Sequence, residues 1–145
     1  MKSRAFTLIE IIVTIAVMAI VLAFAIPNWG RALSKQNERN VKLQLMNLNM
    51  ANDVYSAQTG QYLAGTHNNA NISDLNDALR TDILLENRTF TYTPANGNTT
   101  YTATLSWTEG AATKTIRVNE RALSDTAGSA NPCCSTDNGI IIPGC

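Results

Sequence analysis

The chain is poor in the residues that enzymes use for catalysis and metal binding. Its 145 residues include one histidine, His67, and three cysteines, Cys133, Cys134 and Cys145. It has no nucleophile motif, no glycine-rich phosphate loop and no pair of carboxylates set out for acid–base chemistry. His67 stands among asparagines, so we expect a solvated loop residue, and its spacing from the cysteines does not favour zinc. We therefore expect no enzyme activity, no cofactor and no metal.

Charge is also scarce, and its signs balance. Eleven basic and eleven acidic residues give a formal net charge of zero, and charged residues make up 15% of the chain. Proteins that bind nucleic acid usually show an excess of basic residues on one surface. Because this chain has no such excess, we predict no nucleic-acid partner.

What the chain does have is one long apolar segment near its N terminus. A basic leader, residues 1–5, precedes Phe6. Residues 11–26 form an uncharged run that is apolar except for Thr14 and is closed by Pro27. As a helix, residues 6–26 would be about 31 Å long, which matches the hydrocarbon core of a bilayer. A helix that is apolar on every side is expected in a membrane or a large assembly. The basic leader predicts a cytoplasmic N terminus.

The charged residue within this segment is Glu10. A carboxylate deep in a membrane costs roughly 2.5–3.5 kcal/mol on insertion scales, and less near a helix end, from which it can reach the headgroups. Glu10 is either an interfacial residue without a role or a group whose partner arrives on assembly. We favour the second interpretation, because a helix that serves only as an anchor has no use for this carboxylate.

The run FTLIEIIVTIAVMAIVLAFAIP, residues 6–27, resembles the N-terminal signature of type IV pilins and the related pseudopilins. In that family a prepilin peptidase cleaves before the phenylalanine and methylates the new amino group. The resemblance implies cleavage between Ala5 and Phe6 and N-methylation of Phe6. It also implies an assembly role for Glu10, whose carboxylate would face the Phe6 amine of a neighbouring subunit, and for Pro27. The family usually has glycine where Ala5 stands, so we expect slower processing.

The resemblance implies a structural subunit of a type IV pilus, used for adhesion, motility or DNA uptake. The alternatives are a pseudopilin of a type II secretion system and a minor pilin. Expected partners are further copies in a helical filament, the inner membrane, the prepilin peptidase, an assembly ATPase and a platform protein. The precursor would lie in the inner membrane and the mature subunit in an extracellular pilus, or in a periplasmic pseudopilus under the alternative.

The whole sequence predicts an α+β fold in which a long N-terminal helix with an apolar first half packs on a small antiparallel sheet. Pro27 and Gly30 predict a kink in the helix, and Gly60 predicts its end. The predicted divisions are the leader 1–5, a membrane and assembly half-helix 6–27, an amphipathic half-helix 28–58, and a head 59–145 that ends in a cysteine loop.

The second half of this helix carries two apolar stripes on opposite faces. One stripe consists of Leu43, Met46, Met50, Val54 and Ala57, and the other of Val41, Leu45, Leu48 and Tyr55. A helix that lies on its own sheet needs only one apolar stripe. The other stripe either packs against neighbouring subunits or is covered by the loop after Gly60, and the sequence does not favour either interpretation.

Segments in which threonine alternates with apolar residues predict three antiparallel strands, at 88–93, 100–108 and 113–118, with turns at Asn96-Gly97 and Glu109-Gly110. Before them we expect a loop, 60–82, that contains a short helix from Asp74 to Leu79 capped by Asn71 or Ser73. Residues 140–142 predict an edge strand.

The cysteines cluster at the end of the chain. In the pilin family a cysteine near the C terminus often bridges to one upstream. The resemblance therefore implies a disulfide of Cys145 with Cys134 or Cys133, which leaves one cysteine over. Closing a loop of this size would contribute roughly 3 kcal/mol in the chain-entropy model.

Overall fold

The computed structural model describes residues 7–124 and 130–136, without the side chains of 24–28, 31 and 134–136. The elements follow one another as α1 Leu8–Thr59, β1 His67–Asn68, α2 Ile72–Leu79, β2 Thr89–Ala95, β3 Thr100–Glu109, β4 Ala112–Asn119 and β5 Cys133–Thr136. The predicted α+β class is confirmed.

Helix α1 continues through Pro27 and Gly30 and ends where the sequence predicts. The Gly60 N–H donates to the Ser56 carbonyl at 2.8 Å, and Gly60 has a φ of +81°, which glycine adopts without a steric penalty. The chain divides into two compact units, residues 1–37 and 38–145. In the described part of the chain, no helix is both long enough and apolar enough to cross a membrane. The predicted kink and the finer division of the chain stay predictions.

The strands form one antiparallel sheet in the order β1-β2-β3-β4-β5. The three predicted strands correspond to β2, β3 and β4, each a residue or two longer than expected. Both predicted turns are present. Asn96, Gly97 and Asn98 all have positive φ in the first turn, and Gly110 has a φ of +64° in the second.

Several local predictions are wrong. His67 is not a solvated loop residue, because it pairs with Tyr92 across the sheet and packs its ring edge-on at 5.8 Å between ring centroids. Helix α2 begins at Ile72, two residues earlier than predicted. Asn71 occupies the N-cap position, as one of the two alternatives predicted, but its side chain makes no capping hydrogen bond and accepts one from the Asn68 N–H. Strand β5 was not predicted. The expected strand at 140–142 lies outside the described residues.

The core of residues 38–145 lies between one face of α1 and one face of the sheet. Alternate residues of β2, β3 and β4 point into it: Phe90, Tyr92, Tyr101, Ala103, Leu105, Trp107, Ile116 and Val118. Helix α1 contributes Val41, Leu45 and Leu48, all fully buried. The opposite face of the sheet is largely threonine, which suits a strand with one solvated face.

Two asparagines of α1 are buried in this core beside tyrosines. The Asn49 side chain donates to the Tyr101 hydroxyl at 2.7 Å, and the Asn52 side chain donates to the Tyr92 hydroxyl at 3.1 Å. The Tyr92 hydroxyl in turn donates to the Leu63 carbonyl at 3.0 Å, while the Leu63 N–H donates to Asn52 Oδ1 at 3.3 Å. Each of these four side chains thus has at least one hydrogen-bond partner, as burial requires.

These contacts predict a loss of stability in alkali. Burial raises the pKa of Tyr92 to about 12, although its hydrogen bond with Asn52 acts in the opposite direction. The folded state therefore favours the neutral phenol, and its contribution is complete below pH 10 and lost as the pH rises to about 12. A shift of two units corresponds to about 3 kcal/mol.

Urea unfolding of the full chain in detergent, followed by circular dichroism at several pH values, tests this. The pKa values of Lys114, Tyr62 and Tyr101 are also raised, so these groups contribute to the same loss of stability in alkali. Tyr92→Phe isolates the tyrosine. It should cost about 1 kcal/mol at neutral pH and make the fall in unfolding free energy above pH 10 less steep, because Tyr101 and Lys114 still titrate in the variant. If the unfolding free energy falls equally with pH in the unaltered chain and in Tyr92→Phe, the prediction is contradicted.

Candidate assembly site

The exposed face of α1 carries large apolar side chains within residues 38–145. Leu43, Met50 and Val54 are 57%, 49% and 58% exposed. At 100° per residue these three lie within roughly 40° of one another and opposite the buried Leu45 and Leu48. We call Leu43, Met50 and Val54 the apolar strip. The loop after Gly60 does not cover it, so that interpretation of the second stripe is wrong.

A charged contact ties α1 to the hairpin between β3 and β4. Lys114 Nζ lies 2.6 Å from Glu38 Oε1 and 2.7 Å from Glu109 Oε2. Burial alone would lower the pKa of Lys114, but the hydrogen bonds with Glu109 and Glu38 together raise it. Because the Lys114 and Glu38 side chains are only 18% and 23% exposed, water screens this pair less than an ordinary surface salt bridge. The contact holds α1 against the sheet near residue 38.

Two grooves run beside the apolar strip, between α1 and the segment from α2 to Ile83. One has a volume of about 290 Å³ and includes Met50, and the other has a volume of about 360 Å³ and includes Val54. Arg80 lines both grooves and has a φ of +53°. The surface around the strip is therefore concave, which suits the side-chain ridge of another helix.

In the N-terminal unit, the large apolar residues whose side chains are described are exposed in the single chain. The large apolar side chains between Leu8 and Leu22 are 49–79% exposed. Glu10 is exposed in the first turn of α1, where its N–H donates to the Thr7 carbonyl at 3.1 Å. Apolar exposure on this scale marks a surface that another molecule or a lipid phase covers.

The remaining predicted site residues are only partly described. Ala5 and Phe6 lie outside the described residues, so cleavage, methylation and the pairing of Glu10 with the Phe6 amine stay predictions. Pro27 lies within α1, and nothing further bears on its role.

The disulfide also stays a prediction. Cys133 lies half-buried in β5 opposite Arg117, and Cys134 lies opposite Ile116. Cys145 is outside the described residues. Within residues 7–124 and 130–136, no cluster of histidine, cysteine or carboxylate side chains is suited to a metal ion.

One feature of the site had no sequence signal. Arg80 follows α2 in a left-handed conformation, which is uncommon for a residue with a β-carbon. The run Leu79-Arg80-Thr81 does not predict this conformation. The grooves themselves depend on the position of α2 beside α1, which the sequence does not predict either.

A family model for the prokaryotic N-terminal methylation motif matches residues 1–26. The chain carries a prepilin-type N terminus. This match confirms that the N terminus resembles the signature of type IV pilins and pseudopilins. The signature implies processing by a prepilin peptidase and assembly by pilus-type machinery. The α+β arrangement of helix and antiparallel sheet is consistent with a pilin fold. Neither the comparison with curated proteins nor the comparison with solved structures gives a match.

The two faces of α1 should respond differently to substitution in this prepilin-type chain. Val54→Ser should change the free energy of unfolding by less than about 0.5 kcal/mol, because Val54 is exposed. Leu48→Ala should cost about 2–5 kcal/mol, because Leu48 is fully buried. Urea unfolding of both variants in detergent measures the difference. A similar loss in both would show that the apolar strip is buried.

Proposed function

We propose that this chain is a structural subunit of a type IV pilus filament. The observation that carries the proposal is the methylation motif at residues 1–26, which is joined to an α+β head. The signature is shared by subunits that leave the membrane and stack through their N-terminal helices. The sequence shows no catalytic motif, which accords with a structural role.

The apolar surfaces of the two units give the filament its contacts under this proposal. The residues from Leu8 to Leu22 have no partner within the described chain that would cover them, and the apolar strip is likewise exposed. In a filament, N-terminal helices of several copies lie side by side. Helices of neighbouring copies would then cover the apolar strip and enter its flanking grooves.

Glu10 provides the polar contact in this proposal. After cleavage the amino group of Phe6 carries a positive charge, and the Glu10 carboxylate of a neighbouring copy would lie beside it. Two opposite charges attract strongly among packed apolar helices, and removal of one leaves the other unpaired. Such a pair would fix how far one subunit slides along the next.

The proposal also places the chain in a pathway of assembly. The precursor would sit in the inner membrane, where the prepilin peptidase would cleave it after Ala5 and methylate Phe6. An assembly ATPase and a platform protein would then extract it into an extracellular filament. A pseudopilin or minor pilin would share these early steps and differ in abundance and destination.

Glu10→Leu tests the charge pair. We expect this variant to insert into the membrane normally and to give no filaments, since the Phe6 amine would lose its partner. Thr14→Val is the matched control, because Thr14 lies in the same apolar segment and its hydroxyl already bonds to the Ile11 carbonyl at 2.8 Å. The readouts are the amount of sheared filament and the membrane-bound fraction. Normal filaments from Glu10→Leu would rule the pairing out.

Intact-mass spectrometry of sheared filaments separates a major pilin from the alternatives. A major pilin should dominate the preparation as a chain that begins at N-methylated Phe6. Its mass should also be lower than that of the reduced chain by two hydrogens if the predicted disulfide forms. A processed chain that stays in the cell envelope and is absent from filaments would instead support a pseudopilin.

A further inference from the structure

The apolar surface of the N-terminal unit does not end at Pro27. Trp29 is 71% exposed and Leu33 is 53% exposed, and both belong to the helix beyond the proline. At 100° per residue, Trp29 and Leu33 lie within roughly 40° of Leu22 and on the same face. After Pro27, therefore, apolar residues continue along the helix, but on one face only.

The side of the helix away from Trp29 and Leu33 is basic. Lys35 is exposed, and it lies about 120° from Trp29 around the helix axis. Arg31, which lies between Trp29 and Lys35 in the sequence, is a second basic residue. The helix between residues 29 and 35 thus carries a tryptophan on one side and positive charge on another. This is the composition of a segment that lies in the interface between lipid and water.

The position of Trp29 along the helix agrees with that environment. It follows Ile26, the last residue of the apolar run, by three residues, or about 4.5 Å of helix rise. The headgroup layer on each side of a bilayer is about 5–8 Å thick. Tryptophan concentrates there because its ring is apolar while its indole N–H needs a hydrogen-bond acceptor.

We infer that Trp29 and Lys35 form an interfacial anchor that binds the outer headgroup layer of the membrane and prefers anionic lipids. This inference rests on the proposed membrane-inserted precursor. Trp29 sets the depth of the helix. Lys35 lies nine residues, or about 13.5 Å, beyond Ile26, so its long side chain would extend back toward the N terminus of the helix to contact lipid phosphate. A lipid interface suits this pair, because tryptophan concentrates in the headgroup layer and a lysine ammonium stays hydrated there while it contacts lipid phosphate.

Depth-dependent fluorescence quenching tests the anchor. The chain has two tryptophans, and Trp107 lies buried in the head. The full chain is placed in vesicles of phosphatidylcholine and phosphatidylglycerol that carry bromine at one depth in the acyl chain. The signal of Trp29→Phe, subtracted from that of the unaltered chain, leaves the emission of Trp29 and keeps the head intact.

We expect Trp29 emission to be blue-shifted from that of indole in water. Bromine near the headgroup should quench it at least twofold more than bromine near the end of the acyl chain. Strongest quenching by the deep bromine would place Trp29 in the hydrocarbon core and overturn the inference. An absence of quenching at every depth would place it in water and overturn the inference as well.

The lipid preference has its own control. Removing phosphatidylglycerol should lower the quenching of Trp29 by the shallow bromine, and Lys35→Gln should make quenching insensitive to that lipid. Lys35→Arg keeps the charge and should behave like the unaltered chain. Equal responses of Lys35→Gln and Lys35→Arg would overturn the role of Lys35.

The outcomes separate this inference from the proposed function. Shallow quenching in a chain that never appears in filaments would support the anchor and contradict the pilus subunit. Abundant filaments built from a chain whose Trp29 is not quenched at the shallow depth would support the pilus subunit and contradict the anchor.

Discussion

The rotation of α1 about its own axis is the constraint on which the rest of the head depends. Asn49 donates both to the Tyr101 hydroxyl and to the Asn119 carbonyl, each at 2.7 Å. A buried amide tolerates no rotation that breaks such bonds, because an unpaired polar group costs about 1–3 kcal/mol. Apolar contacts alone would permit small rotations. The amides therefore fix which stripe meets the sheet, and they leave the apolar strip on the outside.

Asparagine side chains also fix the loops through hydrogen bonds, in this case to backbone groups. The Asn69 side chain accepts from the Phe90 N–H at 2.6 Å and donates to the Arg88 carbonyl at 2.8 Å, as a neighbouring strand would do. Asn131 bonds in the same way to both backbone groups of Asn119. Side-chain amides thus satisfy backbone groups at places where the sheet is not continuous.

The sequence predicted what is local. Gly60 ends α1 because a left-handed residue stops a helix, and the threonine alternation of β2, β3 and β4 reports one buried face. The strands β1 and β5 were missed because distant partners hold them, and two or four residues carry no period. Asn69 lies in a turn within the predicted loop 60–82, but its side-chain hydrogen bonds with Phe90 and Arg88 were not predicted, since asparagine favours turns whether or not it bonds to a distant strand. In the candidate site, the N-terminal signature and the apolar strip could be read from the sequence, whereas the grooves depend on how α2 docks.

Glu10 and the apolar residues around it contribute differently to the proposed filament. A helix that leaves lipid for a bundle of like helices exchanges one apolar environment for another, so the hydrophobic effect gives little preference for assembly. The carboxylate of Glu10 is different, because it is costly in lipid and favourable beside an amine. The preference of the helix for the filament over the lipid would then depend on this polar pair. Close packing of the apolar side chains would set the geometry of the helix bundle. A single charged residue in a long apolar segment is therefore what makes the membrane a temporary location in this proposal.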